Sequence, residues 1–439
     1  MNASPTRWNQ APLSRRGFLV GAAAVGVTVA LPGMLAGCAP DTATGTTTIE
    51  FWDMPWGAEG YEQAARDLAA RYEAENPDVR IAYTLVPWAT FYEVFSTAVV
   101  SGTTPDVSTG APMMGSQYGQ VLAPLDDYLA SWEQEGIIDD LIPGALENQR
   151  DPSGSISGLP WNADIRVATY NERLFSERGA TVPTTFDELR EAARRLTGDG
   201  VSGFGMAGVG PGGYQTLVSL MINNGGGLFD SSGEVRVLTD RNRETCELIQ
   251  AMVVDGSISS SAAALTQDDV RAGMRSGSVG IIISNPNYYA GFDNEAEIQV
   301  LPPLTGYHGD RGALTWSGPI RMFEASTRKD QTAHFMGWWV NNMSSLFGDG
   351  RAAVLPSTLS LYSEVDTLSG PRMSVIVDEY FPVGRTLAAP YEGGLLPYLN
   401  QVEGAQALPT LAQDVLSLRP VDDALAACED ALGEIVASY

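Results

Sequence analysis

Residues 47–85 are TTIEFWDMPWGAEGYEQAARDLAARYEAENPDVRIAYTL, and their pattern predicts a strand, a helix and a second strand. The first of these residues, 47–52, predict a strand. A helix follows, and it ends at Asn76-Pro77 because a residue that precedes proline disfavours helical backbone. One face of this helix recurs at close to the helical period: Tyr61, Ala65, Leu68 and Tyr72. Residues 79–85 then alternate apolar and polar side chains, which predicts a second strand with one buried face.

The same alternation of strands and helices continues along the chain. Residues 105–109 predict a third strand, and the capping box Thr185–Glu188 opens a helix. Residues 241–254 form another helix, and 279–283 read as a strand covered on both faces. Residues 421–435 predict a last amphipathic helix. This order predicts an α/β fold with mostly parallel sheets. The mature chain, about 400 residues, exceeds one ordinary core and predicts two lobes.

Two short signals lie near the start of the chain. Ser14-Arg15-Arg16-Gly17-Phe18-Leu19 is typical of twin-arginine export. Leu35-Ala36-Gly37-Cys38 looks like a bacterial lipobox, with cleavage before Cys38 and lipid on its thiol. A transmembrane anchor is the alternative, but the apolar run 18–36 is short and broken by glycine and proline. We therefore predict a cleaved signal peptide at 1–37 and a lipidated tether at 38–45, at the outer face of the cytoplasmic membrane.

Composition excludes several classes of partner. The chain carries 26 basic and 53 acidic residues, a formal net charge of −27, so a nucleic-acid partner is excluded. It has two histidines and no Cys/His cluster, and we expect neither a metal nor a cofactor. Cys246 and Cys428 either form a disulfide or lie apart as small buried residues. We favour the second reading, and spacing alone does not decide.

Several short motifs follow one another in a fixed order along the mature chain. They are Ile49-Glu50-Phe51-Trp52, Thr104-Pro105-Asp106-Val107, the run 122–128, Gly158-Leu159-Pro160-Trp161, Tyr170-Asn171, Leu174-Phe175, the run 183–189, Asn224-Gly225-Gly226 and the run 274–277. With these motifs the chain resembles the extracytoplasmic solute-binding proteins of ABC importers, in the sugar-binding family that includes maltose-binding protein. The resemblance covers essentially the whole mature chain.

The resemblance implies a two-lobed, periplasmic-binding-protein-like fold with a hinged cleft. The first lobe would hold 46–160 plus 317–369, and the second 161–316 plus 370–439. The chain would cross between them near 159–162, 315–318 and 368–372. The function implied is capture of a carbohydrate, an oligosaccharide, and its delivery to the transmembrane subunits of an ABC permease. We expect a monomer that carries out no catalysis.

A sugar has apolar ring faces, which suit flat aromatic side chains, and a rim of hydroxyls, which need polar partners. Open α/β sheets bind ligands just after their strands. The ligand-binding candidates that follow strands or lie at the crossings are Trp52, Asp53, Trp56, Trp88, Trp161, Asn162, Asp164, Arg166 and Trp316. For each tryptophan, packing in the core or hinge is the alternative. Trp338 and Trp339, in a helical stretch, are expected in the core.

Further candidates come from comparison with the family's pattern. Met113 stands in a loop that carries a sugar-binding acid in relatives, which implies a more apolar wall. Asn287 and Tyr288 occupy the place where the family often has a tryptophan. Tyr391 and Glu392 complete the set.

Two other classes of function remain open from the sequence. A glycoside hydrolase would need two carboxylates at a defined separation, and 53 acidic residues make their presence uninformative. The chain has no Gly-x-Ser-x-Gly elbow and no phosphate loop. A sensor or adhesion lipoprotein could use the same scaffold. The identity of the sugar does not follow from the sequence.

Overall fold

Two β-sheets organise the fold. The computed structural model describes residues 45–57, 60–87, 90–110, 119–151, 153–289, 291–348 and 352–439. Within this part of the chain, Thr46–Tyr439 forms one compact unit. The predicted signal peptide with Cys38, and the candidates Trp88 and Met113, lie outside the described residues.

The strands of the described residues are short, and most of them are largely buried. They are β1 (Thr47–Asp53), β2 (Val79–Leu85), β3 (Val107–Ser108), β4 (Leu159–Ile165), β5 (Val167–Asn171), β6 (Ser202–Gly205), β7 (Val279–Ser284), β8 (Ile298–Val300), β9 (Ala313–Met322), β10 (Leu355–Pro356) and β11 (Gly384–Arg385). The first sheet has the order β10-β4-β9-β3-β1-β2, with β11 also paired to β9. The second has the order β6-β7-β5-β8.

Both sheets are mixed, so the expectation of mostly parallel strands is wrong. Of the described pairings, four are parallel, namely β1–β2, β1–β3, β9–β11 and β6–β7. The other five are antiparallel. The physical reason lies in the path of the chain. β4 leads from the first sheet to the second and β9 leads back, so these two neighbours must run in opposite directions.

Helices pack on both sheets. Those described are α1 (Tyr61–Glu75), α2 (Phe91–Ser101), α3 (Asp126–Gln134), α4 (Glu172–Arg178), α5 (Phe186–Leu196), α6 (Pro211–Asn223), α7 (Asp240–Val254), α8 (Gln267–Ser276), α9 (Lys329–Asn342), α10 (Ser344–Phe347), α11 (Leu361–Glu364), α12 (Pro371–Val375), α13 (Leu399–Glu403), α14 (Ala407–Leu416) and α15 (Val421–Val436). The predicted face of α1 is buried as expected. At α5, Thr185 accepts the amide of Glu188, but the Glu188 carboxylate accepts from the amide of Thr184 rather than Thr185.

Two large hydrophobic clusters form the cores of two lobes, which confirms the two-lobed α/β prediction. The first cluster packs around β1 and α9 and includes Trp339, which is fully buried as predicted. The second packs around α6, α7 and α14. Along the chain, the clustered apolar residues up to Val167 belong to the first cluster and Ala168 begins the second. The chain returns to the first cluster along β9, and later Phe381 belongs to the first cluster and Leu387 to the second.

Cys246 and Cys428 form no disulfide and are buried in the second cluster, which confirms the favoured prediction. Burial raises the pKa of the Cys428 thiol to about 12. Among the described residues, none of the helices is both long and apolar enough to cross a membrane. In the same part of the chain, no group of three or more His, Cys, Asp or Glu side chains is placed to hold a metal ion.

Candidate functional site

The crossing strands β4 and β9 present one face that leads from the first core toward the second lobe. Their register places Leu159 opposite Ile320, Asn162 opposite Gly318 and Asp164 opposite Trp316. Residues directly opposite each other in an antiparallel pair share a face. Leu159 and Ile320 are buried in the first core, so the other two pairs extend that face beyond it.

Asn162 lies across Gly318 on this face. Its side chain is buried, and its Nδ2 atom has no hydrogen-bond partner among the described residues. A Cβ added to Gly318 would overlap the Asn162 amide, so glycine provides the space for that amide. A buried donor without a partner is costly to keep. Asn162 can therefore satisfy an acceptor that a ligand supplies.

Next along this face, Asp164 and Trp316 meet Arg166. The Arg166 guanidinium donates from Nη1 to Asp164 Oδ1 at 2.8 Å and from Nε to Gln215 Oε1 at 3.0 Å. Its Cζ atom also lies 4.6 Å from the centroid of the Trp316 ring, within the range of a cation–π contact. The structure thus brings together three of the predicted site residues.

Trp316 has a further partner in the second lobe. Its Nε1 donates to Glu403 Oε1 at 2.8 Å. Burial raises the pKa of the Glu403 carboxyl group, while the hydrogen bond from Trp316 and the charge of Arg166 act in the opposite direction. Neither Glu403 nor Gln215 was predicted from sequence, since their partners lie 87 and 49 positions away and no local motif marks such contacts.

A group of polar side chains of the second lobe, here called the polar wall, lies near Arg166. Arg271 of α8 donates to Ser284 Oγ at 3.3 Å, and Tyr288 bonds Thr169 through their hydroxyls at 2.8 Å. Burial lowers the pKa of Arg271, and the nearby charge of Arg166 lowers it further. The predicted candidates Asn287 and Tyr288 are both half-buried. Arg271, which the sequence analysis did not single out, belongs to this wall.

In the first lobe, Asp53 lies at the end of β1 and is fully buried. Its carboxylate accepts hydrogen bonds from the hydroxyl of Thr109, from Tyr83 Oη at 2.8 Å and from the amide of Met54 at 2.8 Å. Burial raises the pKa of Asp53 to about 6, and these bonds act against that rise. Trp56 Nε1 donates to the same Thr109 hydroxyl at 3.1 Å. Asp53 and Trp56 are therefore joined through one hydroxyl.

Trp161 packs against Trp56 with ring centroids 5.4 Å apart and against Phe347 at 6.2 Å. It is fully buried, and its Nε1 has no partner among the described residues. Trp52 makes a separate contact with Phe95 of α2 at 5.2 Å. Trp52, Trp56 and Trp161 are thus core or near-core side chains in this conformation.

A small cavity of about 40 Å³ lies where the lobes meet. Its lining includes Gln149 of the first lobe, Trp316, and the segment 386–399 with Tyr391 and Glu392. Tyr391 is half-buried, whereas Glu392 is exposed and pairs with Arg385 at 3.4 Å. The amide of Leu395 donates to the carbonyl of Arg150 at 2.9 Å, which joins this segment to the first lobe.

The fold and this interlobe arrangement define a protein of the solute-binding class. Residues 58–344 match the family model of the bacterial extracellular solute-binding proteins. The matched region is more than half of the chain, so the chain belongs to this family.

Solved structures are similar over most of this chain. A sugar transporter from Arthrobacter chlorophenolicus A6, solved with bound laminaribiose, is 30% identical with a TM-score of 0.77, covering 88% of this chain and 99% of that one. The GacH receptor of Streptomyces glaucescens GLA.O, solved unliganded and with acarbose, is 22% identical with a TM-score of 0.69, covering 90% and 99%. The second likeness shows the fold alone.

Curated relatives match over shorter spans. A protein of Brucella abortus (strain 2308), named only as a binding protein, is 26% identical over 276 residues. That match covers 60% of this chain and 65% of the relative's own length. A lipoprotein encoded in the oleD 5′ region of Streptomyces antibioticus is 26% identical over 212 residues, 46% of this chain and 45% of the relative.

Proposed function

We propose that this protein captures a carbohydrate between its two lobes and delivers it unaltered to an ABC permease. The observation that carries the proposal is the face of β4 and β9, where a buried, unpartnered amide of Asn162 lies beside Asp164 and the indole of Trp316. The relative with bound laminaribiose, at 30% identity, supports a carbohydrate as the class of ligand.

The chemistry of this face matches both the apolar ring faces and the hydroxyl groups of a sugar. The indole of Trp316 offers a flat surface for the C–H groups of a ring. The Asn162 amide and the Asp164 carboxylate offer a donor and an acceptor for hydroxyls. Arg166 is paired with Asp164 and Arg271 with Asp268, so each of these two arginines has a carboxylate partner among the described residues, and a neutral ligand fits the region better than an anionic one.

Capture requires the lobes to open. Sites for small-molecule ligands usually measure roughly 300 Å³ or more, while the interlobe cavity here is about 40 Å³. A sugar reaches Trp316 only when the segment 386–399 moves away from Gln149 and Arg150. We place the hinge where the chain changes lobe, at Val167–Ala168, along β9 between Trp316 and Ile320, and between Phe381 and Leu387. Contacts made only in the closed form then drive closure.

The N-terminal signals indicate where in the cell the protein acts. Export through the twin-arginine route, cleavage before Cys38 and lipid on its thiol would hold a monomer at the outer face of the cytoplasmic membrane. The lipoprotein relative from Streptomyces antibioticus supports this reading. Confinement to the membrane that holds the permease raises the effective concentration of the loaded protein there.

Calorimetric titration of the protein lacking residues 1–38 against a panel of disaccharides and oligosaccharides, laminaribiose included, tests the proposal. We expect at least one to bind with 1:1 stoichiometry, to raise the melting temperature and to be recovered intact by chromatography. A panel without a binder would contradict carbohydrate capture. Cleavage of the bound sugar, or of a chromogenic glycoside, would instead favour the glycoside hydrolase.

A further inference from the structure

Trp316 is held by two charged side chains, Arg166 and Glu403, that approach different parts of its ring. Arg166 covers a face, with Cζ 4.6 Å from the ring centroid. Glu403 accepts the hydrogen bond from Nε1 at the ring edge, at 2.8 Å. An indole that loses its N–H partner can rotate about its side-chain bonds, whereas one bonded at its edge and covered on a face has a single orientation.

The two clamping residues are themselves fixed. Arg166 is tied to Asp164 of β4 and to Gln215 of α6. Glu403 ends the short helix α13, whose Leu399 and Val402 are buried in the second core. Because both supports are anchored in packed elements, the position of the Trp316 ring follows the second lobe as a rigid part of it.

Only one face of the ring is left for a ligand. Trp316 lines the interlobe cavity together with Tyr391, and Arg166 is not part of that lining. The cavity therefore lies against a part of the indole that the guanidinium does not cover. A sugar that enters between the open lobes meets the ring from this side.

We propose that Glu403 is a positioning residue for carbohydrate capture: it holds the Trp316 indole in one orientation, so that a sugar ring stacks on the single face that Arg166 leaves open. The role of this orientation in sugar binding rests on the proposed function. The orientation of the ring itself is measurable without any ligand. If Glu403 only supported the helix α13, its replacement would lower the stability of the protein without changing the orientation of the indole.

The first test uses the ligand-free mature protein labelled with 5-fluorotryptophan and observed by ¹⁹F NMR. The Trp316→Phe variant assigns the resonance. We expect one narrow Trp316 resonance in the wild type and in Glu403→Gln, which keeps an acceptor for Nε1. In Glu403→Ala the resonance should shift and broaden or split, because the ring samples more than one orientation. Glu434→Ala, at an exposed carboxylate of α15, is the matched control. A Trp316 resonance unchanged in Glu403→Ala overturns the inference.

The second test measures affinity for laminaribiose, or for the tightest ligand of the sugar panel. Glu403→Ala should weaken binding by about tenfold or more, because Nε1 is left unpaired and the stacking face is no longer fixed. Glu403→Gln should restore most of the affinity, and Glu434→Ala should leave it unchanged. Equal affinity of wild type and Glu403→Ala overturns the inference while leaving carbohydrate capture intact. Failure of the wild type to bind any sugar overturns the proposed function, and the NMR comparison still decides whether Glu403 orients the ring.

Discussion

Two tryptophans on the crossing strands are supported in opposite ways. Trp161, on β4, packs among aromatic rings of the first core, with Trp56 and Phe347 as its neighbours. Trp316, on β9, is held by the charges of Arg166 and Glu403. Trp161 is fully buried; Trp316 is also buried, in the second cluster, but it keeps 7% of its surface exposed and borders the interlobe cavity.

The difference indicates that the two tryptophans of the crossing strands have different roles. Apolar packing on all sides stabilises a ring but leaves it no face for a ligand. Contacts from charged groups at the edge and on one face orient a ring and leave the other face available. We therefore expect Trp161 to stabilise the first lobe and Trp316 to bind the ligand.

Replacing each tryptophan with alanine should give the largest effects. Trp161→Ala should lower the free energy of unfolding by about 3–5 kcal/mol, the usual cost of removing a large buried ring. Trp316→Ala should cost less stability, because its ring already borders a cavity, but should abolish measurable sugar binding. Chemical denaturation and calorimetric titration measure the two quantities.

The milder Trp161→Phe keeps the protein folded and so controls for general loss of structure. We expect it to bind sugar with nearly wild-type affinity. Loss of affinity in Trp161→Phe as severe as in Trp316→Phe would show that Trp161 contacts the ligand directly, and the contrast between the two rings would fail.

The next largest effect concerns the buried carboxyl group that supports Trp56. The pKa of Asp53 is about 6 in the folded protein, against 3.8 for an ordinary aspartate, so between these two pH values the folded state binds a proton that the unfolded state has lost. Stability from this group therefore increases as pH falls through that window. Relative to Asp53→Asn, the wild type should gain about 3 kcal/mol between pH 7 and pH 3.5.

Denaturation curves of both proteins across this pH range measure the difference. Tyr83→Phe is an informative companion, because it removes a hydrogen bond that favours the charged form. In Tyr83→Phe, the pH range over which Asp53 changes the stability should therefore extend to higher pH. A difference between wild type and Asp53→Asn that does not vary with pH would show that burial does not control this carboxyl group.

Local patterns predicted much of the fold. The apolar face of α1, the alternation in β2 and the buried run of β7 each depend on residues within one segment, so periodicity was sufficient. The direction of the strands was not predictable in this way. Whether β4 and β9 run antiparallel depends on which lobe each end of the strand joins, and that is a property of the whole chain.

The candidate site shows the same limit. Asp164, Arg166 and Trp316 were predicted and do meet, because cross-strand register places their segments side by side. Glu403 was not predicted, because α13 reaches Trp316 only through the packing of the second core. Asp53 was predicted as a ligand contact, but the structure surrounds it with protein donors: the neighbouring amide of Met54 and the hydroxyls of Tyr83 and Thr109 from two other segments.

A smaller effect tests the glycine beneath the Asn162 amide. Gly318→Ala places a Cβ where that amide lies, and the overlap should cost about 1–3 kcal/mol of stability. Sugar affinity should fall as well, since the Nδ2 donor is displaced. Gly433→Ala in α15, where nothing lies within 4 Å of the added carbon, should be neutral or slightly stabilising. Thermal unfolding measures the stability of both variants, and calorimetric titration measures their affinity for sugar. Unchanged affinity in Gly318→Ala would exclude Asn162 from the site.

The smallest expected effect lies at the outer edge of the Trp316 region. The Glu392 side chain is 75% exposed and 3.4 Å from Arg385, and exposed pairs of this kind contribute little, about 0.5 kcal/mol. Glu392→Gln should therefore leave stability nearly unchanged, and sugar affinity within about twofold of wild type if the ligand ends at Trp316. Titration with ligands of increasing chain length, beside Glu434→Gln as a control, measures this. Loss of affinity confined to the longer sugars would mean that the ligand extends past the indole to the rim of the cleft.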